Sequence, residues 1–435
     1  MDKPTFYISA PFDTYSGYGA RSRDIIKSIV KSEKYDVKLL SQRWGNTPWG
    51  FVKDHEEEWG FLKNYLYNQP QLTQKPDIWM QITVPNEFQP VGKYNIGMTA
   101  GMETTIVHHS WVEGINRMDI NFVSSEHSKQ TFLNSVYTKN NQQGQAVGEI
   151  KVNKPIEVLF EGANLEIYKP TTEPCLVDFN IPEKFAYLFV GHWMQGNLGE
   201  DRKNVGLLVK AFFELFKNKQ NAPALILKTA VTGASYMGRD KIIDKINQIK
   251  STVNARRLPN VYLLHGEFSD EEMNSIYNHS KVKAMVSLTK GEGFGRPLLE
   301  FSLTKKPILA TNWSGHIDFL NSEFTTLING ELKNVDDSAV VKDMILKESQ
   351  WFSPNSGEIG HYLKDMFENY KKYAELGKRQ AHYSKTNFSW EKMDEMLNAY
   401  LDKNIPEFPK QVKLQLPKLK KIELPKKKEV AVKES

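Results

Sequence analysis

Apolar residues recur along this chain in two registers. Short apolar runs, "PTFYISAPF", "YDVKLLS", "DIWMQITV", "YNIGMTAG" and "INFVSS", predict strands. Between the first two, "ARSRDIIKSIVKS" spaces its apolar residues by three and four, which predicts a helix. The alternation starts again at "KFAYLFVG". It runs through "VGLLVKAFFELFKN" (helix), "PALILKTA" (strand), "GRDKIIDKINQIKSTV" (helix), "VYLLHG" (strand), "SDEEMNSIYNHS" (helix) and "VKAMVSLT" (strand). Such alternation predicts an α/β fold, with parallel sheets covered by helices on both faces. Ser269 followed by Glu272 reads as a capping box. The polar stretch "NSVYTKNNQQGQAVGEIKVNK" reads as an exposed loop or hairpin.

Two serial Rossmann-like domains facing a central cleft are the economical arrangement of these elements. Residues 1–157 make the first and 158–385 the second, with "IEVLFEGANLEIYKP" as the link. A closing helix over 386–405 is expected to pack back on the first domain, and a Lys/Pro-rich flexible tail occupies 406–435.

Composition narrows the picture. With 435 residues, 40% hydrophobic and 25% charged, the chain is globular and long enough for two or three domains. Cys175 is its one cysteine, so no internal disulfide can form and a reducing compartment is expected. The opening "MDKPTFYISAPFDTYSG" has no charged-then-apolar leader pattern, and no apolar run reaches the length of a membrane span. A cytoplasmic location is expected, with a membrane-peripheral one as the alternative. The net charge of +5 suggests nucleic acid at first. Yet nine lysines and four glutamates lie between Pro406 and Ser435, and removing them from 57 basic and 52 acidic residues leaves 48 of each. The tail holds the whole excess. It offers a weak site for an anionic partner, a membrane surface or DNA, beside the plainer reading of a solvated tail.

The densest chemistry follows the strand "VKAMVSLT". Gly291, Gly293 and Gly295 permit positive φ and close backbone approach, and Pro297 fits the first turn of a helix. A helix N-terminus offers free N–H groups and partial positive charge, which suits a phosphate. Glu292 lies on the loop and Glu300 in or just after the first helical turn. A carboxylate accepts hydrogen bonds from two adjacent hydroxyls, as acidic residues do for ribose in dinucleotide folds. The plain alternative is an ordinary turn with Glu300 complementing the helix dipole.

Glu292 and Glu300, inside "GEGFGRPLLE", resemble the E-x7-E motif of retaining GT-B glycosyltransferases, especially glycosyltransferase family four (glycosyl transferases group 1). "KKPILATNWSGHIDFL", "FVGHWMQGNLGEDRKNVGLLVKAFFEL", "VYLLHGEFSDEEMNSIYNHS", "FEGANLEIYKP" and "FSWEKM" are similar to further segments of that family, in order, over most of Val158 to Leu401. The resemblance implies GT-B architecture and transfer of a sugar from a UDP- or GDP-linked donor to an acceptor hydroxyl. Retention at the anomeric carbon, with neither cofactor nor metal, is implied as well. It puts Glu292 at the donor sugar, Glu300 on the ribose, Arg202 and Lys203 on the diphosphate, and the backbone of Phe294 and Gly295 on sugar hydroxyls. Base contacts fall near Gly266 to Phe268.

His192 stands where the family often has a further Arg. Gly17 and Gly19 in "SGYGARS" are expected to turn backbone N–H groups toward the donor phosphates. Ser22 in place of a third glycine, and the lack of an acid after "YDVKLLS", weigh against an NAD site. Glu103 is expected to line the acceptor pocket, with His109 and His108 beside it. The acceptor is expected to be a glycan, a lipid-linked glycan or a modified DNA base. No Asp-x-Asp pair occurs in the chain, which agrees with cations and a helix dipole replacing a divalent metal. Trp44, Trp49, Trp59 and Trp79 could stack on sugars or bases, although core packing is the commoner use. The competing readings are a nucleotide-sugar epimerase of the same fold and a non-catalytic glycan- or nucleic-acid-binding protein.

Overall fold

The computed structural model describes residues 3–178, 180–231 and 233–409. The predicted strands form two six-stranded sheets. The first contains β1 (Thr5–Ala10), β2 (Asp36–Ser41), β3 (Ile78–Ile82), β4 (Tyr94–Met98) and β5 (Ile120–Val123). The polar stretch that follows is an antiparallel hairpin, β6 (Tyr137–Asn140) and β7 (Ala146–Ile150), and β8 (Ile156–Val158) completes the first sheet. Its order is β2-β1-β3-β4-β5-β8, with every pairing parallel. The second sheet contains β9 (Ala186–Val190), β10 (Ala224–Lys228), β11 (Val261–Leu264), β12 (Val282–Ser287), β13 (Ile308–Thr311) and β14 (Thr326–Ile328). They lie in the order β11-β10-β9-β12-β13-β14, again all parallel. A second hairpin, β15 (Gly330–Asn334) and β16 (Gln350–Pro354), follows.

Helices cover both sheets. The first half carries α1 (Gly17–Lys31), the short α2 (Phe51–Asp54) and α3 (Glu56–Trp59), α4 (His109–Arg117) and α5 (Glu126–Asn134). The second carries α6 (Val205–Phe216), α7 (Tyr236–Ser251), α8 (Asp270–Asn278), α9 (Arg296–Ser302), α10 (Ser356–Glu368), α11 (Tyr370–Asn387) and α12 (Trp390–Asn404). The logic is plain in α6. Val205, Leu208, Val209, Phe212 and Phe216 recur at three- and four-residue spacing, and that face packs on Tyr187, Phe189, Leu225 and Leu227 of the sheet. The capping box of α8 is present in full: the Ser269 hydroxyl accepts from Glu272 N–H, and the Glu272 carboxylate accepts from Ser269 N–H. Ser269→Ala is expected to cost about 1 kcal/mol, read as a lower urea midpoint with an unchanged m-value.

The chain passes between the halves twice. After β8, the Arg21 guanidinium of α1 holds the carbonyls of Leu159 and Phe160, at 2.5 and 2.7 Å. After α11, Ala163 N–H donates to Phe388 O and Trp390 N–H to Ala163 O, so the two crossings pair with one another. The last helix lies on the first, with Asp394 accepting from Ser28 Oγ at 2.5 Å and Lys31 Nζ at 2.9 Å. All of this lies within one unit, Met1–Ile405. Most of the expected tail, residues 410–435, lies outside the described residues. Among the described residues, no helix is long and apolar enough to cross a membrane.

Strand order locates the site. In the second sheet the direction of winding reverses between β9 and β12, and in the first between β1 and β3. Ligands of open parallel sheets bind beyond the carboxyl ends of the strands at such a switch point. The segments there are 191–204 and 288–296 in one half, and 11–19 in the other.

Candidate active site

The loop after β12 is held rigidly. Thr289 Oγ1 donates to Gly291 O, Thr311 Oγ1 to Thr289 O, Glu292 N–H to Ser314 Oγ and Gly315 N–H to Glu292 O. Lys290 N–H donates to Arg202 O at 2.8 Å, which ties this loop to the one after β9. On the β9 loop, Asp201 accepts from the Val205 and Gly206 N–H groups and so caps α6. Asn204 turns the chain in the left-handed region, at φ 56°. These two constraints aim Arg202 and Lys203 at Glu292.

The site is a charge cluster. Both Glu292 oxygens accept from Lys203 Nζ, one of them at 2.6 Å. Arg202 Nη1 lies 2.9 Å from Glu103 Oε1 and 3.9 Å from Glu292 Oε2. Burial works to raise the Glu292 carboxyl, but the Lys203 and Arg202 cations outweigh it and hold it below the usual carboxylate range. Burial also lowers Lys203, partly offset by Glu292. The two shifts therefore pull opposite ways on the pair, and the two-oxygen contact decides for the ionised form. Glu103 belongs to the first half, so the pair with Arg202 spans the cleft.

The glycines of this loop permit close approach, but to protein backbone. A Cβ on Gly291 would collide with the Glu103 carbonyl, and one on Gly293 with the Ala100 carbonyl. Ser124 Oγ bonds both Ala100 O and Gly293 O. Close approach here is to the backbone of the opposite half. Gly295 is the left-handed residue before α9, at φ 99°, and Phe294 is buried against Phe319. Glu300 is buried on α9, bonded to Arg296 at 2.9 Å and 3.4 Å from the Tyr277 hydroxyl.

Other expected residues fall at varying removes from the cluster. Gly266 follows β11 at φ 158°, with Phe268 packed over it. Gly17 is exposed at the start of α1, with open space around it. The Gly19 amide is already bonded to the capping Ser16 hydroxyl at 2.9 Å. Gly19 is small because Thr14 O lies against it; the expectation that its N–H faces phosphate gives way to that capping role. The structure does not bring His109 to the cluster. Its partners are Glu113 and Tyr137, and His108 caps α4 beside Asp343. The His108 and His109 rings lie 4.1 Å apart, but with Glu103 they form no three-residue metal-binding group among the described residues. Of the tryptophans, Trp79 is buried in the core, Trp44 stacks on Tyr18 at 3.9 Å, and Trp49 is exposed. Trp49 lines a 550 Å³ pocket with Arg43, Asn46 and Thr47.

Several residues were given no role by the sequence reading. Lys228, at the end of β10, lies 5.3 Å from the Phe268 ring, and burial lowers its pKa. His192 is pushed down to about 4 by burial and by Lys203, Arg202 and Lys228, so it stays neutral beside three cations. His316 is fully buried near Glu292, with Nε2 2.6 Å from Thr311 O and no partner for Nδ1 among the described residues. The histidine that faces the cleft from the first half is His127, whose ring meets Trp313 at 4.6 Å. Arg296 is the last of them. Strand ends carrying His or Lys, in "FVGH" and "LILK", are a signal that could have marked His192 and Lys228.

Comparison with known proteins agrees with this geometry. Residues 193–349 match the family model described as Glycosyl transferases group 1. A capsular polysaccharide biosynthesis glycosyltransferase of Staphylococcus aureus, CapM, is 25% identical over 228 residues, 52% of this chain and 50% of its own length. The chain thus matches half the length of that curated relative. Among solved structures, a glycosyltransferase from Rickettsia africae superposes with TM-score 0.61 at 15% identity, covering 92% of this chain and 99% of that one. Anabaena HepE, in complex with UDP and glucose, gives 0.57 at 12%, covering 92% and 100%. Sucrose-phosphate synthase from Thermosynechococcus elongatus gives 0.57 at 12%, covering 92% and 98%. These likenesses show the fold, the GT-B arrangement of two Rossmann-like halves.

Proposed function

We propose that this chain is a glycosyltransferase that moves a sugar from a nucleoside-diphosphate donor to the hydroxyl of a glycan acceptor, with retention and without a metal. The observation that carries this reading is the cluster of Arg202, Lys203 and Glu292 at the β9/β12 switch point, inside the segment matched to glycosyl transferases group 1. Two buried cations at that point suit a diphosphate, whose negative charge grows as it departs. Arg202 supplies a bidentate fork and Lys203 a point charge. Lys228 extends the same cationic wall, with a neutral His192 beside it. HepE, a structural neighbour, is complexed with UDP and glucose, which supports a UDP-linked donor here; a GDP-linked donor fits the same cations.

In this reading the bond from the anomeric carbon to the diphosphate oxygen breaks, and a bond to the acceptor oxygen forms on the same face. The acceptor proton passes to the leaving phosphate. Glu292 orients the donor sugar, Glu300 takes the ribose hydroxyls, and Glu103 lines the acceptor side. Donor arrival draws Lys203 and Arg202 from the carboxylates to the phosphates, which frees Glu292 and Glu103 for sugar hydroxyls. The opposed halves exclude water from the reacting bond.

The test is a donor-by-acceptor screen followed by mass spectrometry. Nucleoside diphosphate release matched by a heavier acceptor is the expected result. Donor converted to a new sugar with no acceptor present would instead identify an epimerase, and binding without turnover across the panel a non-catalytic protein.

A further inference from the structure

Arg296 stands at the meeting of three elements. Its Nε lies 2.9 Å from Glu300 on the same helix, and its Nη1 lies 2.6 Å from Asp24 of α1 and 4.0 Å from Glu161 of the first crossing. The side chains of Asp24, Glu161 and Glu300 are each about nine-tenths buried. The nearby cations of α1 are engaged elsewhere: Arg21 holds Leu159 O and Phe160 O, and Arg23 holds Phe12 O and Thr14 O. Asp270, Tyr277 and Tyr168 also face Glu300. One guanidinium therefore serves a surplus of carboxylates, and it joins α9 of one half to α1 of the other.

From this geometry we propose that Arg296 is a positioning residue that favours the ionised form of Glu300 for the donor ribose and makes that ionisation depend on the seating of α1 against α9. The proposal rests on the donor-binding reading of Glu300 given above. An ionised carboxylate accepts from both hydroxyls of a ribose; a protonated one offers fewer acceptor sites and adds a donor. Burial raises Glu300 to about 8 against the pull of Arg296, while Asp270 adds to the rise. The group thus titrates within the working range, and its charge is sensitive to the loss of one neighbour. Asp24 holds the guanidinium from the far side. Parting the halves would remove Asp24 from Arg296 and alter the geometry around Glu300 together with the cleft.

The experiment is calorimetric binding of UDP and GDP to the full chain from pH 6 to 9, alongside donor KM and kcat. The wild type is expected to bind roughly tenfold more tightly at pH 9 than at pH 7. Glu300→Gln should bind more weakly and with no pH dependence. Arg296→Met should bind about tenfold more weakly at pH 7, with the deficit narrowing toward pH 9 and kcat changed less than KM. Arg296→Lys should restore part of the affinity. If Arg296→Met fails to fold, Arg296→Lys decides in its place: a wild-type profile there, with affinity and slope unchanged, overturns the role of the guanidinium. A flat wild-type profile, or the same slope in Glu300→Gln, overturns the proposal while leaving the donor site standing. A wild type that binds neither nucleotide overturns the donor-site reading itself.

Discussion

Lys203→Ala is expected to lower kcat/KM by about 10²–10³-fold, the effect of removing one preorganised group from a developing anion. This lysine also contacts both Glu292 oxygens, so its loss has a second consequence. Glu292 would remain buried with Arg202, 3.9 Å away, as its nearest cation. An uncompensated buried charge costs about 3–5 kcal/mol. The single variant is therefore expected to melt lower as well as turn over slowly. Lys203→Ala with Glu292→Gln separates the two effects. Removing both charges should recover most of the thermal stability, because no ionised partner is stranded. Activity should not return. Recovery of turnover in the double variant would show that Lys203 acts only by neutralising Glu292, and the diphosphate role would fall.

Gly291→Ala is the other large effect. The added methyl would point into the Glu103 carbonyl, a backbone atom of the opposite half with no rotamer to escape into. Overpacking of this kind costs about 1–3 kcal/mol. Relief comes most readily by parting the 291–293 loop from the 100–103 segment, which would also stretch the Arg202–Glu103 pair. A fall in kcat/KM larger than the fall in melting temperature would predict is the expected signature. Gly360→Ala on α10 is the control, since nothing lies within 4 Å of a Cβ added there and a helical Gly-to-Ala change is stabilising by about 0.5–1 kcal/mol. Wild-type turnover by Gly291→Ala would show that the close approach is not needed in the catalytic cycle.

Much of the architecture was legible because the strands are buried on both faces and read as continuous apolar runs. β1 and β9 are examples, with Phe6, Ile8, Tyr187 and Phe189 all inaccessible. The capping box of α8 and the polar hairpin β6–β7 were equally plain. α10 and α11 were not foreseen: their sequence, "SGEIGHYLKDMFENYKKYAELGKRQAHYSKTN", is largely polar and buries few residues. β15–β16 escaped for the same reason, since β15 is exposed throughout. At the site, the family resemblance pointed to Glu292, Lys203 and Arg202, which the fold brings together. Arg296 and Lys228 were passed over because a lone Arg, or a Lys at a strand end, carries little signal until the fold shows its surroundings. His109 failed for the converse reason. Its neighbourhood in sequence pointed to the cleft, but α4 begins there and carries it toward Tyr137.

The paired crossings set how this molecule can breathe. Two bodies joined by one strand of chain can twist, slide and rock with similar ease. Here the two crossings share a parallel bridge, hydrogen-bonded through Ala163, Phe388 and Trp390, and Arg21 clamps the first of them. A joint tied at two strands is expected to favour hinge closure over shear. Asp24, whose partner Arg296 lies 4.0 Å from Glu161 of the first crossing, sits beside that joint, whereas Ser124 and Glu103 meet the second half farther along the cleft, at Gly293 and Arg202.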